Sequence, residues 1–295
     1  MTIRVTTQTM AAAASRHLST AQTRLAGAQE TATSLRRITR PSDDPAGAAQ
    51  AMRVRADAAA NAQYGRNIDN GTAWLNRVDS ALGDATDSLI SARDQVQQSL
   101  NDARTPADRA AIAQVIDGLR ADLLATANTT HQGRNLFAAT ADTPTAFVDG
   151  NPPTYAGVAG DAVQRRYGPD QTVRVDADGA AIFGTGSGSV FGLLDSISAE
   201  LRAGGTGSGR LAELDAALRT VTTARADAGA RLSTLVTAKD ANATAKVSLE
   251  ANRSALEDVD LGTAVLDLQV QQTSYQAALA VTAKTLQPTL MDFLR

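Results

Sequence analysis

The sequence predicts a mainly α fold: an elongated helical rod with a terminal coiled coil and a small β-rich insert. Three observations carry this. Small or apolar residues recur at alternating spacings of three and four near both ends, which sets a stripe along one face of a helix. Prolines with acidic residues beside them divide the first half into helices. Between about 133 and 183 the texture changes to glycine, proline and short apolar runs.

In chain order, the first stripe is Ala11, Ala14, Leu18, Ala21, Leu25, Ala28, Ala32 and Leu35. Pro41 ends it, and Ser42-Asp43-Asp44-Pro45 restarts the chain as a helix, an acidic cap followed by proline in the first turn. A long segment reaches about Leu100 with Trp74, Leu75, Val78, Leu82 and Leu89 as its core face. Thr105-Pro106 with Asp108 opens a third helix through Ile112, Ile116 and Leu123. In the insert, Thr172–Val175 and Ala180–Phe183 are expected as strands. A short helix over about Val190–Leu201 precedes Gly204–Gly209, a flexible linker by composition. The heptad resumes at Leu211, Leu214, Leu218, Val221, Arg225, Ala228, Leu232 and Leu235, weakens from Lys239 to Lys246 and returns through Leu249 and Leu256. Its last section is Leu261, Val265, Leu268, Gln272, Tyr275, Leu279, Thr282 and Leu286.

These signals divide the chain into a terminal coiled-coil helix over 1–40, a first helical rod segment over 41–135, a β-rich insert over 136–189, a second rod segment over 190–258 and a second coiled-coil helix over 259–295. The end seams are weak. The first is mostly alanine and the last is interrupted by Gln272 and Thr282. Each missing methylene forgoes about 0.8 kcal/mol of burial, against about 1–2 kcal/mol of backbone entropy per ordered residue. A lone hairpin of this quality is marginal; packing many copies side by side changes the balance. The candidate assembly seam is Leu18, Leu25, Leu35, Leu268, Tyr275, Leu279 and Leu286, and the turn at Pro41, Ser42, Asp43, Asp44 and Pro45 sets the angle at which the chain leaves the coil.

Composition closes several routes. Aromatics make up only 3% of the chain, and 28 Lys+Arg against 31 Asp+Glu leave a net charge of −3, so no basic field attracts nucleic acid or anionic lipid. The absence of cysteine removes disulfides, thiolate metal sites and cysteine nucleophiles. His17 and His131 are the only histidines; His131 reads as part of a surface turn and Trp74 as core. No apolar run is long enough to span a membrane, and the N-terminus lacks a cleavable secretory layout.

The glycine clusters at Gly184–Gly188 and Gly205–Gly209 lack both the dinucleotide spacing and the Lys-Ser/Thr of a P-loop. Asp43-Asp44 reads as a helix cap, and Glu257-Asp258 with Asp260 as a solvated face. No catalytic, cofactor-binding or metal-binding residues are expected, and no enzyme.

Five motifs in order resemble the flagellins and hook-associated proteins of the flagellin superfamily. Thr39-Arg40-Pro41-Ser42-Asp43-Asp44-Pro45-Ala46-Gly47-Ala48-Ala49 is similar to that family's turn after its first helix, and Gln63-Tyr64-Gly65-Arg66-Asn67-Ile68, followed by Trp74-Leu75 and Ala81-Leu82, to its next helix. Ala127-Asn128-Thr129 with Gly133-Arg134-Asn135-Leu136-Phe137-Ala138 resembles the entry to the family's insert, with Ala139 where a glycine is usual. Leu256-Glu257-Asp258-Val259-Asp260-Leu261 resembles the opening of its last helix, with Val259 in place of an alanine. Leu290-Met291-Asp292-Phe293-Leu294 resembles the ending of its hook-associated branch, though Arg295 extends the tail as in flagellins.

The resemblance implies a structural subunit at the junction between hook and filament, with filament flagellin as the alternative and a secreted coiled-coil effector or adhesin as a rival of another class. It implies export unfolded through the flagellar type III apparatus and a place outside the cell, on the flagellum. The implied partners are further copies of the chain, the first hook-associated protein, filament flagellin and an export chaperone, without nucleic acid or membrane insertion.

Overall fold

The computed structural model describes residues 2–101 and 103–286, with side chains described from 9 to 284. The fold is mainly helical, with long helices pairing the two ends and small β-hairpins in the middle. Among the described residues seven α-helices and six short strands follow in the order α1 (Thr2–Ser34), α2 (Pro45–Ser99), α3 (Pro106–Ala127), β1 (Thr130–His131), β2 (Arg134–Asn135), β3 (Phe147–Val148), β4 (Thr154–Tyr155), β5 (Gln164–Gly168), β6 (Gln171–Arg174), α4 (Gly179–Phe183), α5 (Val190–Arg202), α6 (Leu211–Glu257) and α7 (Leu261–Leu286). The chain divides into two compact units: the ends, 1–59 with 246–295, and the middle, 60–245.

In the middle unit α2 and α6 run antiparallel, as the ladder of pairs Asn61–Asn242, Asp69–Lys239, Asp79–Arg225 and Arg93–Asp215 shows. Ile68, Leu75, Val78, Leu82 and Leu89 of α2 are buried with Leu214, Val221, Ala228 and Leu235 of α6, a heptad face on each. Where that apolar face thins, the amides of Asn61 and Asn242 bond each other and each other's backbone carbonyls at 2.7–3.1 Å. The helix therefore continues without a break through Lys239–Lys246. Gly65 allows the approach, since a β-carbon there would lie 3.0 Å from Asn242 Oδ1.

α3 starts with a capping box: Thr105 Oγ1 accepts from the Asp108 N–H, and Asp108 Oδ2 accepts from the Thr105 N–H at 2.9 Å. At its other end Asn128 accepts from the Phe147 N–H and donates to the Phe147 carbonyl, both at 2.8 Å. That seats Phe147 in a cluster with Phe137, Phe183 and Phe191, ring centroids 5.1–5.9 Å apart. Trp74 is buried, edge-on to His131 at 5.5 Å.

Two expectations about the middle unit are corrected. Thr172–Arg174 lies in a strand as read, paired with β5, but Ala180–Phe183 is helical. Asp178 caps that turn by accepting from the Ala181 N–H, and Gly179 lets it press on Phe137, whose carbonyl oxygen would sit 2.5 Å from a β-carbon at that position. Gly204–Gly209 is not a free linker. The Gly204 carbonyl accepts from Arg109, the Thr206 carbonyl from Ser99, and the Gly207 N–H donates to Glu200.

Candidate assembly surface at the chain termini

In the unit built from the ends, α1 packs along α7. The row of α1 turned inward is Ala11, Ala14, Leu18, Ala21, Leu25, Ala28 and Ala32, all buried or half-buried. The facing row of α7 is Ala264, Leu268, Gln271, Tyr275, Ala278 and Thr282. Leu268, Tyr275 and Thr282 belong to the heptad expected from the sequence. The positions between them are one residue earlier, so alanines and a glutamine turn inward and the bulkier residues turn out. Leu261, Val265, Leu266, Val270, Leu279 and Val281 are all exposed, Leu266 and Val281 at 65%. The sequence reading missed this because a leucine counts as a seam residue whichever side of the stripe it falls on.

Below the helix pair, the α1–α2 and α6–α7 connections are tied together by backbone. The Arg37 N–H donates to the Glu257 carbonyl at 2.7 Å and the Val259 N–H to the Leu35 carbonyl at 3.0 Å, flanking an antiparallel bridge of Arg36 with Asp258. Arg37 spans the knot, donating to the Leu256 carbonyl at 2.9 Å and to Asp44 Oδ2 at 3.1 Å. Asp43 and Asp44 divide the turn between them. Asp43 Oδ2 accepts from the Arg40 N–H and Thr39 Oγ1, holding the turn before the helix, while Asp44 Oδ1 accepts from the Gly47 N–H at 2.8 Å, capping the helix itself.

Those bonds hold both carboxyls below the ordinary aspartate value, chiefly through the Arg40 N–H for Asp43 and the Gly47 N–H for Asp44. Gly47 is required by this closure, since a β-carbon there would lie 2.3 Å from Asp44 Oδ2. The exposed Pro41, Ser42 and Pro45 complete the turn.

Of the solvated face read for Glu257, Asp258 and Asp260, the two aspartates are exposed and Glu257 is the exception. Its side chain is only 2% exposed and accepts from Arg55 Nε at 2.7 Å, with Arg253 3.8 Å from its other oxygen. Arg55 foremost lowers its pKa, against the desolvation that would raise it. Sequence reasoning had no route to this pair, whose members are far apart in the chain.

The N-terminal helical region of bacterial flagellin matches residues 5–142, and its C-terminal helical region matches 211–294. The chain belongs to the bacterial flagellin family. Among curated relatives, flagellar hook-associated protein 3 of Escherichia coli (strain K12) is 29% identical over 269 residues, which cover 82% of this chain and 84% of the relative. The flagellar filament 30.7 kDa core protein of Treponema maltophilum is 28% identical over 259 residues, 84% of each chain. The solved flagellar junction protein FlgL of Legionella pneumophila superposes with a TM-score of 0.60 at 16% identity, over 70% of this chain and 99% of that one, and shows the shared fold. As a flagellin-family protein the chain is a structural component of the bacterial flagellum, outside the cell, and not an enzyme.

The residues singled out from the sequence fall into three groups on this flagellin-family scaffold. Leu18, Leu25, Leu268 and Tyr275 are half-buried between α1 and α7. Leu35 and Leu279 are 39% and 42% exposed. The side chain of Leu286 and the Leu290–Leu294 ending with Arg295 lie outside the described residues. Leu35 also sits at φ +54°, just past the end of α1, where a glycine is the usual choice. Among the described residues no group of acidic and histidine side chains could hold a metal ion, and no helix is long and apolar enough to cross a membrane.

Proposed function

We propose that this chain is the subunit that joins hook to filament, held in place by its paired ends. One observation carries the reading. In the terminal unit the mostly alanine-lined faces of α1 and α7 meet each other, while Leu261, Val265, Leu266, Val270, Leu279 and Val281 of α7 are exposed. Burying one such side chain is worth about 1.5–3 kcal/mol, and a row of them on an open face favours packing against neighbouring copies.

In this reading Leu279 on that open side and Leu35 at the end of α1 are contact residues, and Leu18, Leu25, Leu268 and Tyr275 support them from the seam. Leu35 adds its own argument: a large side chain that is 39% exposed is kept in a left-handed conformation that costs about 1–2 kcal/mol for an L-residue. Helices 1–40 and 259–295 form the inner core of the assembly, segments 41–135 and 190–258 the rod, and the insert 136–189 lies outermost. Its partners in this scheme are further copies of itself, the first hook-associated protein, filament flagellin and an export chaperone acting on the C-terminal region. The similarity to a hook-associated protein 3 over most of both chains supports this placement.

Deleting the protein is expected to abolish motility and to release flagellin into the medium. Normal filaments on the deletion strain would reject the proposal. The similarity to a filament core protein favours a second reading, filament flagellin. It separates cleanly, because the purified chain would then polymerise into long filaments instead of stopping at a short ring.

A further inference from the structure

The middle unit carries a groove on the flank of α6 that faces away from α2. Arg225 and Asp215 reach α2 from one side of α6, whereas Arg219, Thr220, Thr223 and Asp227 line a groove on the other, against Ala181 and Ile182 of α4. The Arg219 side chain is exposed and has no hydrogen-bond or ion-pair partner among the described residues, while Asp227 has Arg231 of its own helix 4.0 Å away. On the solvent face of α2, opposite the buried Leu82, Ala85 and Leu89, stand Arg77, Ser80, Asp84 and Asp87, and the three charged side chains of that stripe are likewise without such partners. α6 separates the stripe from the groove, so one chain cannot bring them together.

Their spacing matches across copies. Within a chain, Asp79 stands level with Arg225 in the antiparallel pair. Arg77 lies two residues before Asp79 and Asp227 two residues after Arg225, so the two stand at one height. Asp84 lies five residues beyond Asp79 and Arg219 six before Arg225, again level within about 2 Å at 1.5 Å per residue.

Resting on the assembly reading above, we infer that a second copy of this chain, in the same orientation and at the same height, seats its α2 stripe against this groove, pairing Arg77 with Asp227 and Asp84 with Arg219. Copies that share an orientation set α2 of one antiparallel to α6 of the next. That is the direction in which the charges are opposite; turning one copy over would set Arg77 on Arg219 and Asp84 on Asp227. A stripe meeting a different patch is a heterologous contact, the kind that closes rings, and like-charge juxtaposition guards its register.

The test uses the full chain in a deletion strain, reading the amount retained on sheared flagella. Asp84→Arg and Arg219→Asp each place like charges together and are expected to cut retention at least about threefold, beyond the effect of losing an exposed pair alone. The combined variant should return to within about twofold of wild type, which also shows that neither change prevents folding. Because the chain has no cysteine, Ser80→Cys with Thr223→Cys should give a disulfide ladder of multimers on assembled flagella, and either change alone should not. Single charge variants retained like wild type, a combined variant that is not rescued, or the absence of a ladder would each overturn this surface. None of those results bears on the deletion phenotype, so the junction reading stands or falls separately.

Discussion

The two units of this chain bury different things. In the middle unit four phenylalanines close a centre beside the leucines of α2, α3 and α5. In the unit made of the ends, the only buried apolar residues described are Ala28, Ala48, Ala51 and Ala264, with the carboxylate of Glu257 among them. A core of large side chains repays the entropy of ordering its own backbone. A core of alanines does so poorly, and its larger side chains are left on the open face. One unit has the core to stand by itself, and the other, on the assembly proposed above, is completed by neighbours.

The contrast can be broken most sharply in the middle. Phe183→Ala removes a side chain buried with Phe137, Phe147 and Phe191 and is expected to cost about 3–5 kcal/mol, read as a lower urea midpoint. A loss under about 1 kcal/mol would mean that the cluster is not the centre of that unit.

Next in size, Arg55→Ala leaves the buried Glu257 carboxylate without its short bond. Discounting for the half-exposed arginine, it should cost about 1–2 kcal/mol, felt in the terminal unit. The same group makes that unit sensitive to acid. The lowered values of Asp43, Asp44 and Glu257 mean that their contribution is present above the unfolded values of 3.8 and 4.5 and is lost as pH falls through the folded ones. Protease cleavage within α1 or α7 should therefore rise below about pH 4, and Glu257→Gln should flatten that dependence.

Leu35→Gly releases the left-handed strain at the end of α1 but gives up the covered part of a leucine that is 39% exposed, so the isolated chain is expected to change by less than about 1 kcal/mol while assembly weakens. A variant fully competent for assembly would show that the leucine has no outside contact. Smallest of all in stability, Leu279→Asp at an exposed site should change the isolated chain by less than about 0.5 kcal/mol yet block incorporation into flagella, scored by retention after shearing.

What could be read in advance follows from what is local. The α1 stripe from Ala11 to Ala32, the Ser42–Pro45 helix start, the Thr105 cap and the core face of α2 depend on residues a few positions apart, and each lies in the structure where its spacing put it; Leu35, read as the last residue of the stripe, falls past the end of α1 and is exposed. The inward row of α7 was only half legible, because both possible rows keep Leu268 and Tyr275 and differ only in which small residues join them. Ala180–Phe183 reads as a strand until Asp178 is seen to cap it. Glu257 reads as solvent-facing until Arg55, on another helix, is placed beside it. α6 runs unbroken through a stretch with a failing heptad because two asparagines replace the apolar contact. The candidate surface itself was legible as weakness, an alanine-rich seam, but not as the open leucine and valine face of α7.

The backbone knot between Arg37 and Glu257 also sets an order of events. Its two strands are far apart in sequence, so it cannot close until the chain as far as Asp258 is free to fold. The loop it closes includes the whole middle unit, and loop closure of that length comes late. α1 consequently waits without its lifelong companion until α7 has arrived, and the first helix is the last to find its place.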